Sequence, residues 1–342
     1  MYIRNEASEI CVENLRHNGL MKRLLLPLLA ALAINSQPVL TNEDRANFSE
    51  AEIIKVNNKN IEVIKFKLPD KKFPDRNDVL AQIHFPKYYK NKKLSLIIHQ
   101  HGSNRDGLRF EKWGGRTDEW GRRLVEKALE RGYAVALLDS FYKRKLKPSD
   151  KGKFPNGILI SEKLNSILSK DERFDKSKIF YSGFSYGASQ VLKLQDKRAN
   201  SDLFKAAVAA EPGCNKVSFP FKSNIKTLII KGEDSHYNPI ACEYYYNLVK
   251  ETGNQIEYVS IPKVNHFFSL NGSIGKGIAV NGCSENIVIQ YPDRTFKLAD
   301  GTSINKEEAQ RRCLTKESGE GTTREKLDEA INISLNYFDK YK

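Results

Sequence analysis

The sequence predicts a single α/β domain with a mostly parallel central sheet and helices on both faces. Near-continuous apolar runs of strand length alternate with amphipathic segments of helical length along most of the chain, the pattern of parallel strands buried on both sides. Neither an internal repeat nor a Ser/Gly/Pro-rich linker divides the 342 residues. A composition of 40% hydrophobic and 29% charged residues excludes a multi-span membrane protein and a disordered chain.

Residues 1–33 read as a leader. Lys22-Arg23 precede the apolar run Leu24 to Ile34, which is shorter than the roughly 20 residues that cross a bilayer. Ala31-Leu32-Ala33 places small residues where a signal peptidase needs them. Met21 is then the true start, and the product is secreted or periplasmic. No cysteine follows the run to carry a lipid, so no stable membrane anchor is expected after cleavage. Cleavage removes four basic and three acidic residues, taking the net charge from +14 to +13. It also removes Cys11 and leaves Cys214, Cys242, Cys283 and Cys313. Four cysteines in an exported chain suggest two disulfides, with three pairings open.

The domain proper, residues 45–342, opens with two β-branched runs, Ile53 to Val56 and Ile61 to Phe66, broken by asparagines as in a hairpin. Val79 to His84 and Leu94 to His99 follow as strands, the second running into the glycine-bearing loop His101 to Gly107. Trp120, Leu124, Ala128 and Leu129 are spaced for a helix over Asp118 to Arg131 that stops at Gly132. Beyond it come a strand at Ala134 to Leu138, a helix near Ser161 to Leu168, a strand at Ile179 to Ser182 and a helix from Ala188. Strands at Ala206 to Ala210 and Thr227 to Ile230, a helix at Ala241 to Thr252 and a strand at Ile256 to Ile261 complete the alternation. The closing helix, Arg324 to Tyr341, carries Leu327, Ala330, Ile331, Ser334, Leu335 and Phe338 on one face.

Gly183-Phe184-Ser185-Tyr186-Gly187 joins the strand at Ile179 to the helix at Ala188. A G-x-S-x-G pentapeptide in that setting is a nucleophile elbow, whose glycines allow a sharp turn that lifts Ser185 above the sheet. A serine hydroxyl needs a base, and His266 follows the last sheet strand, where a loop can bring it over the elbow. The acid that orients the imidazole is expected from the loop after Thr227 to Ile230, where Asp234 lies; Glu211 and Glu233 are the alternatives. The backbone N–H groups of Tyr186 and Ser103 are the expected oxyanion donors.

With these pieces in place the chain resembles the dienelactone hydrolase-like branch of the α/β-hydrolases, particularly its exported members. The matching residues are His101-Gly102-Ser103, Leu138-Asp139-Ser140-Phe141, Gly183 to Gly187, Pro212-Gly213-Cys214, Gly232 to Pro239 with Cys242, and His266, spread over about residues 75 to 270. The resemblance implies the α/β-hydrolase fold, hydrolysis of an ester or similar acyl bond, and pairing of Cys214 with Cys242. Two departures stand out. The namesake enzymes use a cysteine where this chain has Ser185, so their lactone substrate does not carry over. The family loop would place its acid at Ser235, one residue beyond Asp234.

Residues 271–321 form an insertion before the last helix, with strand-like runs at Ile287 to Ile289 and Thr295 to Leu298. It is bracketed by Cys283 and Cys313, which are expected to pair, and is expected to border the active-site mouth. The basic loop Lys143 to Lys153 follows a strand end on the face where such folds bind ligands. It reads first as a solvated loop and otherwise as a lure for an anionic substrate or polymer.

The expected function is an exported serine hydrolase that cleaves a small or carbohydrate-linked ester through an acyl-enzyme. No metal or organic cofactor is implied, and no motif supports nucleic-acid binding. The alternative enzyme is a serine peptidase of the prolyl-oligopeptidase type, whose elbow Gly-Phe-Ser-Tyr-Gly resembles, although 342 residues leave little room for a propeller domain. A hydrolase-fold binding protein without turnover is the remaining alternative.

Overall fold

The computed structural model describes residues 51–342 apart from 58, 90, 91, 197, 198, 215, 236, 238, 267–272, 280–286, 292, 313, 314 and 321–323. The leader with its Met21 start and the pairing of Cys283 with Cys313 lie outside the described residues.

A nine-stranded sheet forms the centre. Its strands are β1 (Glu52–Lys55), β2 (Ile61–Lys67), β3 (Asp78–His84), β4 (Leu94–Gln100), β5 (Ala134–Asp139), β6 (Phe174–Phe184), β7 (Ala206–Ala210), β8 (Lys226–Gly232) and β9 (Ile256–Ile261). Their spatial order is β1-β2-β3-β5-β4-β6-β7-β8-β9. The pairings among β1, β2, β3 and β5 are antiparallel, and those from β5 through β4 to β9 are parallel. The expected hairpin is therefore the antiparallel edge of a mainly parallel sheet.

Alternation along β4 shows how the sheet is covered. Leu96 and Ile98 face one apolar cluster and Ile97 faces the other, all fully buried. The first cluster is closed by helices α2 (Gly157–Leu168), α3 (Tyr186–Leu192) and α4 (Pro239–Glu251), through residues such as Leu164, Val191 and Tyr245. The second is closed by α1 (Glu119–Glu130) and α5 (Arg324–Asp339), through Trp120, Leu124, Ile331 and Phe338. Each such side chain contributes about 1.5–3 kcal/mol by leaving water. Asp118 caps α1 by accepting from the Gly121 N–H at 2.8 Å, and Arg123 pairs with Asp328 across α1 and α5.

Two elements begin well ahead of the bounds the sequence suggests. β6 starts at Phe174, which pairs with Leu94 ahead of a register irregularity; its polar stretch Asp175 to Lys178 hides the strand from a hydrophobicity reading. Helix α2 starts at Gly157, ahead of Ser161, and buries Ile158 and Ile160 in its first turn.

The runs expected as strands in the insertion are Val288–Gln290 and Phe296–Leu298. They join Ser303–Ile304 and Lys216–Ser218 in a four-stranded sheet. Lys216–Ser218 lies just beyond Cys214, so this sheet recruits chain from outside residues 271–321. Strands Ser273–Ala279 and Thr315–Glu320 pair with each other antiparallel. Among the described residues no helix is long and apolar enough to cross a membrane.

Candidate active site

The parallel strands β4 to β9 deliver their C-terminal ends to one edge of the sheet, where the chemistry-bearing residues gather. Ser185 follows β6 directly, with φ 52° and ψ −107°. A non-glycine residue in that region is strained, and the strain is held by tight packing. A side chain at Gly187 would sit 1.9 Å from the Gln100 carbonyl oxygen, and one at Gly183 would sit 2.3 Å from the Gly187 backbone. Both glycines are thus required for β6, the turn and α3 to approach β4. The Ser185 N–H is tied to the Ala210 carbonyl at 2.9 Å.

His266 is placed by the segment after β9 and is almost fully buried. Its Nε2 lies 3.0 Å from Ser185 Oγ, and its Nδ1 lies 3.1 Å from Glu211 Oε2. A carboxylate only accepts, so Nδ1 carries the proton and Nε2 is left to accept from the serine hydroxyl. Phe184 stacks on the imidazole at 5.7 Å and Tyr237 packs against it at 4.3 Å between ring centres.

The acid facing His266 is therefore Glu211, and the expectation of Asp234 is corrected. Asp234 is exposed in the turn after β8, with its N–H bonded to the Val264 carbonyl; Glu233 beside it is exposed as well. The turn directs both carboxylates to solvent and only Ser235 inward. Glu211 extends from the end of β7 with φ 56° and no exposed surface. Its Oε1 accepts from the Gly232 N–H. Its Oε2 accepts from His266, from Ser235 Oγ at 2.8 Å and from Lys231 Nζ at 2.9 Å. Burial opposes the charge on Glu211, but Lys231 and His266 outweigh it and hold the carboxyl well below the usual carboxylate range. For His266, burial lowers the pKa, Glu211 pulls it up, and Lys231 and Lys151 push it down; the net direction is down from 6.5.

The loop His101-Gly102-Ser103, where an oxyanion donor is expected, lies against the elbow: a side chain at Gly102 would come within 3.4 Å of Ser185 Cβ. Its orientation is fixed from both sides. The Gly102 N–H donates to Asp118 Oδ2, whose other oxygen lies 3.1 Å from His99 Nε2. The Gly102 carbonyl lies 2.6 Å from His101 Nδ1, while His101 Nε2 accepts from the Ser140 N–H at 3.2 Å. Because a trans peptide sets its C=O and N–H in opposite directions, securing the Gly102 carbonyl fixes the aim of the Ser103 N–H. The Tyr186 N–H opens α3, where the first amides have no intrahelical acceptor.

Strand order, parallel direction and a strained serine between β6 and α3 decide the architecture. The fold is that of the α/β-hydrolases. In this α/β-hydrolase fold Cys214 and Cys242 form a disulfide, with 4.9 Å between Cα atoms, joining the turn after Glu211 to α4.

No protein-family model matches the chain, and no curated protein sequence matches it. Solved structures that resemble it include a dienelactone hydrolase from Klebsiella pneumoniae, at TM-score 0.45 and 16% identity, covering 61% of this chain and 88% of that one. Esterase 2 of Thermogutta terrifontis gives TM-score 0.43 at 15% identity, over 67% and 88% of the two chains. The acylaminoacyl peptidase of Pyrococcus horikoshii gives 0.42 at 16%, over 65% and 38%.

Lys231 and Asp118 were not legible as site residues, and His101 and Tyr237 were legible only as members of the matching loops, without a role of their own. Lys231 leaves one trace in the sequence, a lysine closing the apolar run Thr227 to Ile230. The basic loop also touches the site region, since Lys151 Nζ donates to the Tyr237 hydroxyl at 3.0 Å.

Proposed function

We propose that the protein is a serine hydrolase that cleaves carboxylic esters through an acyl-enzyme. The observation that carries this reading is the continuous Ser185–His266–Glu211 relay, with links of 3.0 and 3.1 Å. His266 Nε2 takes the hydroxyl proton as Ser185 Oγ attacks the acyl carbonyl. The N–H groups of Tyr186 and Ser103 receive the oxyanion. The imidazolium, steadied by Glu211, then protonates the leaving alcohol as the C–O bond breaks. Water repeats the sequence on the acyl-enzyme, releasing the acid and restoring Ser185. The substrate class proposed is a small or carbohydrate-linked ester.

Export belongs to the same reading. It is supported by the basic flank and apolar run of the leader and by the Cys214–Cys242 disulfide, a bond favoured in oxidising compartments.

Labelling by a fluorophosphonate and turnover of p-nitrophenyl acetate test the reading. Both are expected in the wild type and absent in Ser185→Ala. Absence of both in the wild type would overturn it, and cleavage of peptides ahead of esters would replace the esterase with a peptidase.

A further inference from the structure

Lys231 closes an apolar strand, yet its side chain is 0% exposed. A buried ammonium is costly unless every proton finds an acceptor. Here all three do. Nζ donates to Glu211 Oε2 at 2.9 Å, to Ser235 Oγ at 2.9 Å and to the Pro212 carbonyl at 3.3 Å. Ser235 Oγ is equally committed, accepting from Lys231 and from the Tyr237 N–H at 3.2 Å while donating to Glu211. Three acceptors around one nitrogen suit the charged amine, which has three donors to offer.

Lys231 shares Glu211 Oε2 with the imidazole. We propose that Lys231 is a positioning residue of the triad: its ammonium fixes the Glu211 carboxylate for the His266 Nδ1–H and sets the pH below which the site stops working. The inference rests on the serine-hydrolase reading above.

The polar and charged groups facing His266 include Ser185 from the elbow, Glu211 from the end of β7, Lys231 from β8, Tyr237 from the loop beyond it and Lys151 from the basic loop. Removing the Lys231 charge leaves the attraction of the ionised Glu211 on the imidazole without its offset, so His266 protonates at higher pH and the acid limb of activity moves upward.

The experiment is the pH profile of kcat/KM for p-nitrophenyl acetate in the wild type, Lys231→Met and Lys231→Arg, with the pH dependence of fluorophosphonate labelling in parallel. The wild-type acid limb is expected below pH 6.5. Lys231→Met is expected to raise it by about one unit, and Lys231→Arg to return it toward the wild type. A lysine with only a structural role would lower yield or thermal stability and leave the limb in place, so an unmoved limb in folded Lys231→Met overturns the proposal. Should Lys231→Met fail to fold, the wild type decides, because a limb at or above pH 6.5 also overturns it. No turnover and no labelling in the wild type would remove the hydrolase reading and, with it, the role given to Lys231.

Discussion

Ser235 Oγ stands 2.8 Å from Glu211 Oε2, the oxygen that also receives the His266 Nδ1–H. The resemblance placed an acid at position 235, on the loop after β8, whereas the chain supplies its carboxylate from the end of β7. Both routes lead to nearly the same point in space. Glu211→Gln is therefore expected to lower kcat by about 10³- to 10⁴-fold through loss of the correct imidazole tautomer. Asp234→Asn should change it by less than about twofold, as expected for an exposed side chain. Steady-state kinetics on both variants check this, and a comparable loss at Asp234 would refute the assignment.

The same convergence allows a rescue. Glu211→Gln combined with Ser235→Asp restores a carboxylate within reach of His266 and Lys231. It is expected to recover at least about tenfold of the activity lost in Glu211→Gln, in line with the contribution of a correctly placed charge. A double variant no faster than Glu211→Gln would show that the two positions are not equivalent.

The His101 bond to the Gly102 carbonyl predicts a distant effect on transition-state binding. His101→Leu frees that peptide, so the Ser103 N–H loses its fixed aim. A fall in kcat of about tenfold or more with little change in KM is expected. A pure rise in KM would instead assign His101 to substrate binding.

Two buried histidines predict how stability depends on pH. Burial pushes His84 and His101 down to about 4 from 6.5, with Glu111 and Asp139 respectively countering it in part. Between pH 6.5 and about 4 the unfolded chain holds protons at these positions that the folded chain does not. Stability therefore rises with pH across this window and is lost as pH falls through it, by about 3 kcal/mol per histidine. Urea unfolding at pH 7 and pH 4.5 measures the loss, and His84→Gln should reduce it. Equal midpoints at the two pH values would contradict the prediction.

Gly187→Ala tests the elbow as a packing device. With the Gln100 carbonyl 1.9 Å from the added carbon, α3 must move away from β4. A destabilisation of about 3 kcal/mol or more is expected by thermal unfolding, with loss of serine labelling.

Much of this was readable from the chain because the strands are long apolar runs and the elbow is local: five consecutive residues declare Ser185. His266 was legible from its place after the last strand. The acid was not, because the choice between Glu211 and Asp234 depends on which way a tight turn faces, and adjacent residues in the turn after β8 point to opposite sides. Lys231 was hidden for a related reason. A lysine at a strand end ordinarily extends into solvent, and only the arrangement of Pro212, Ser235 and Glu211 around it makes a buried ammonium tolerable.

The Cys214–Cys242 bond closes a covalent ring, and Lys231, Gly232 and Ser235, three of the groups that clasp Glu211, lie inside it. The exposed turn at Glu233 and Asp234 lies inside it too. A proteolytic nick in that turn would leave one molecule rather than two fragments, with Ser185 and Glu211 on one piece, His266 on the other, and the disulfide holding the pieces together.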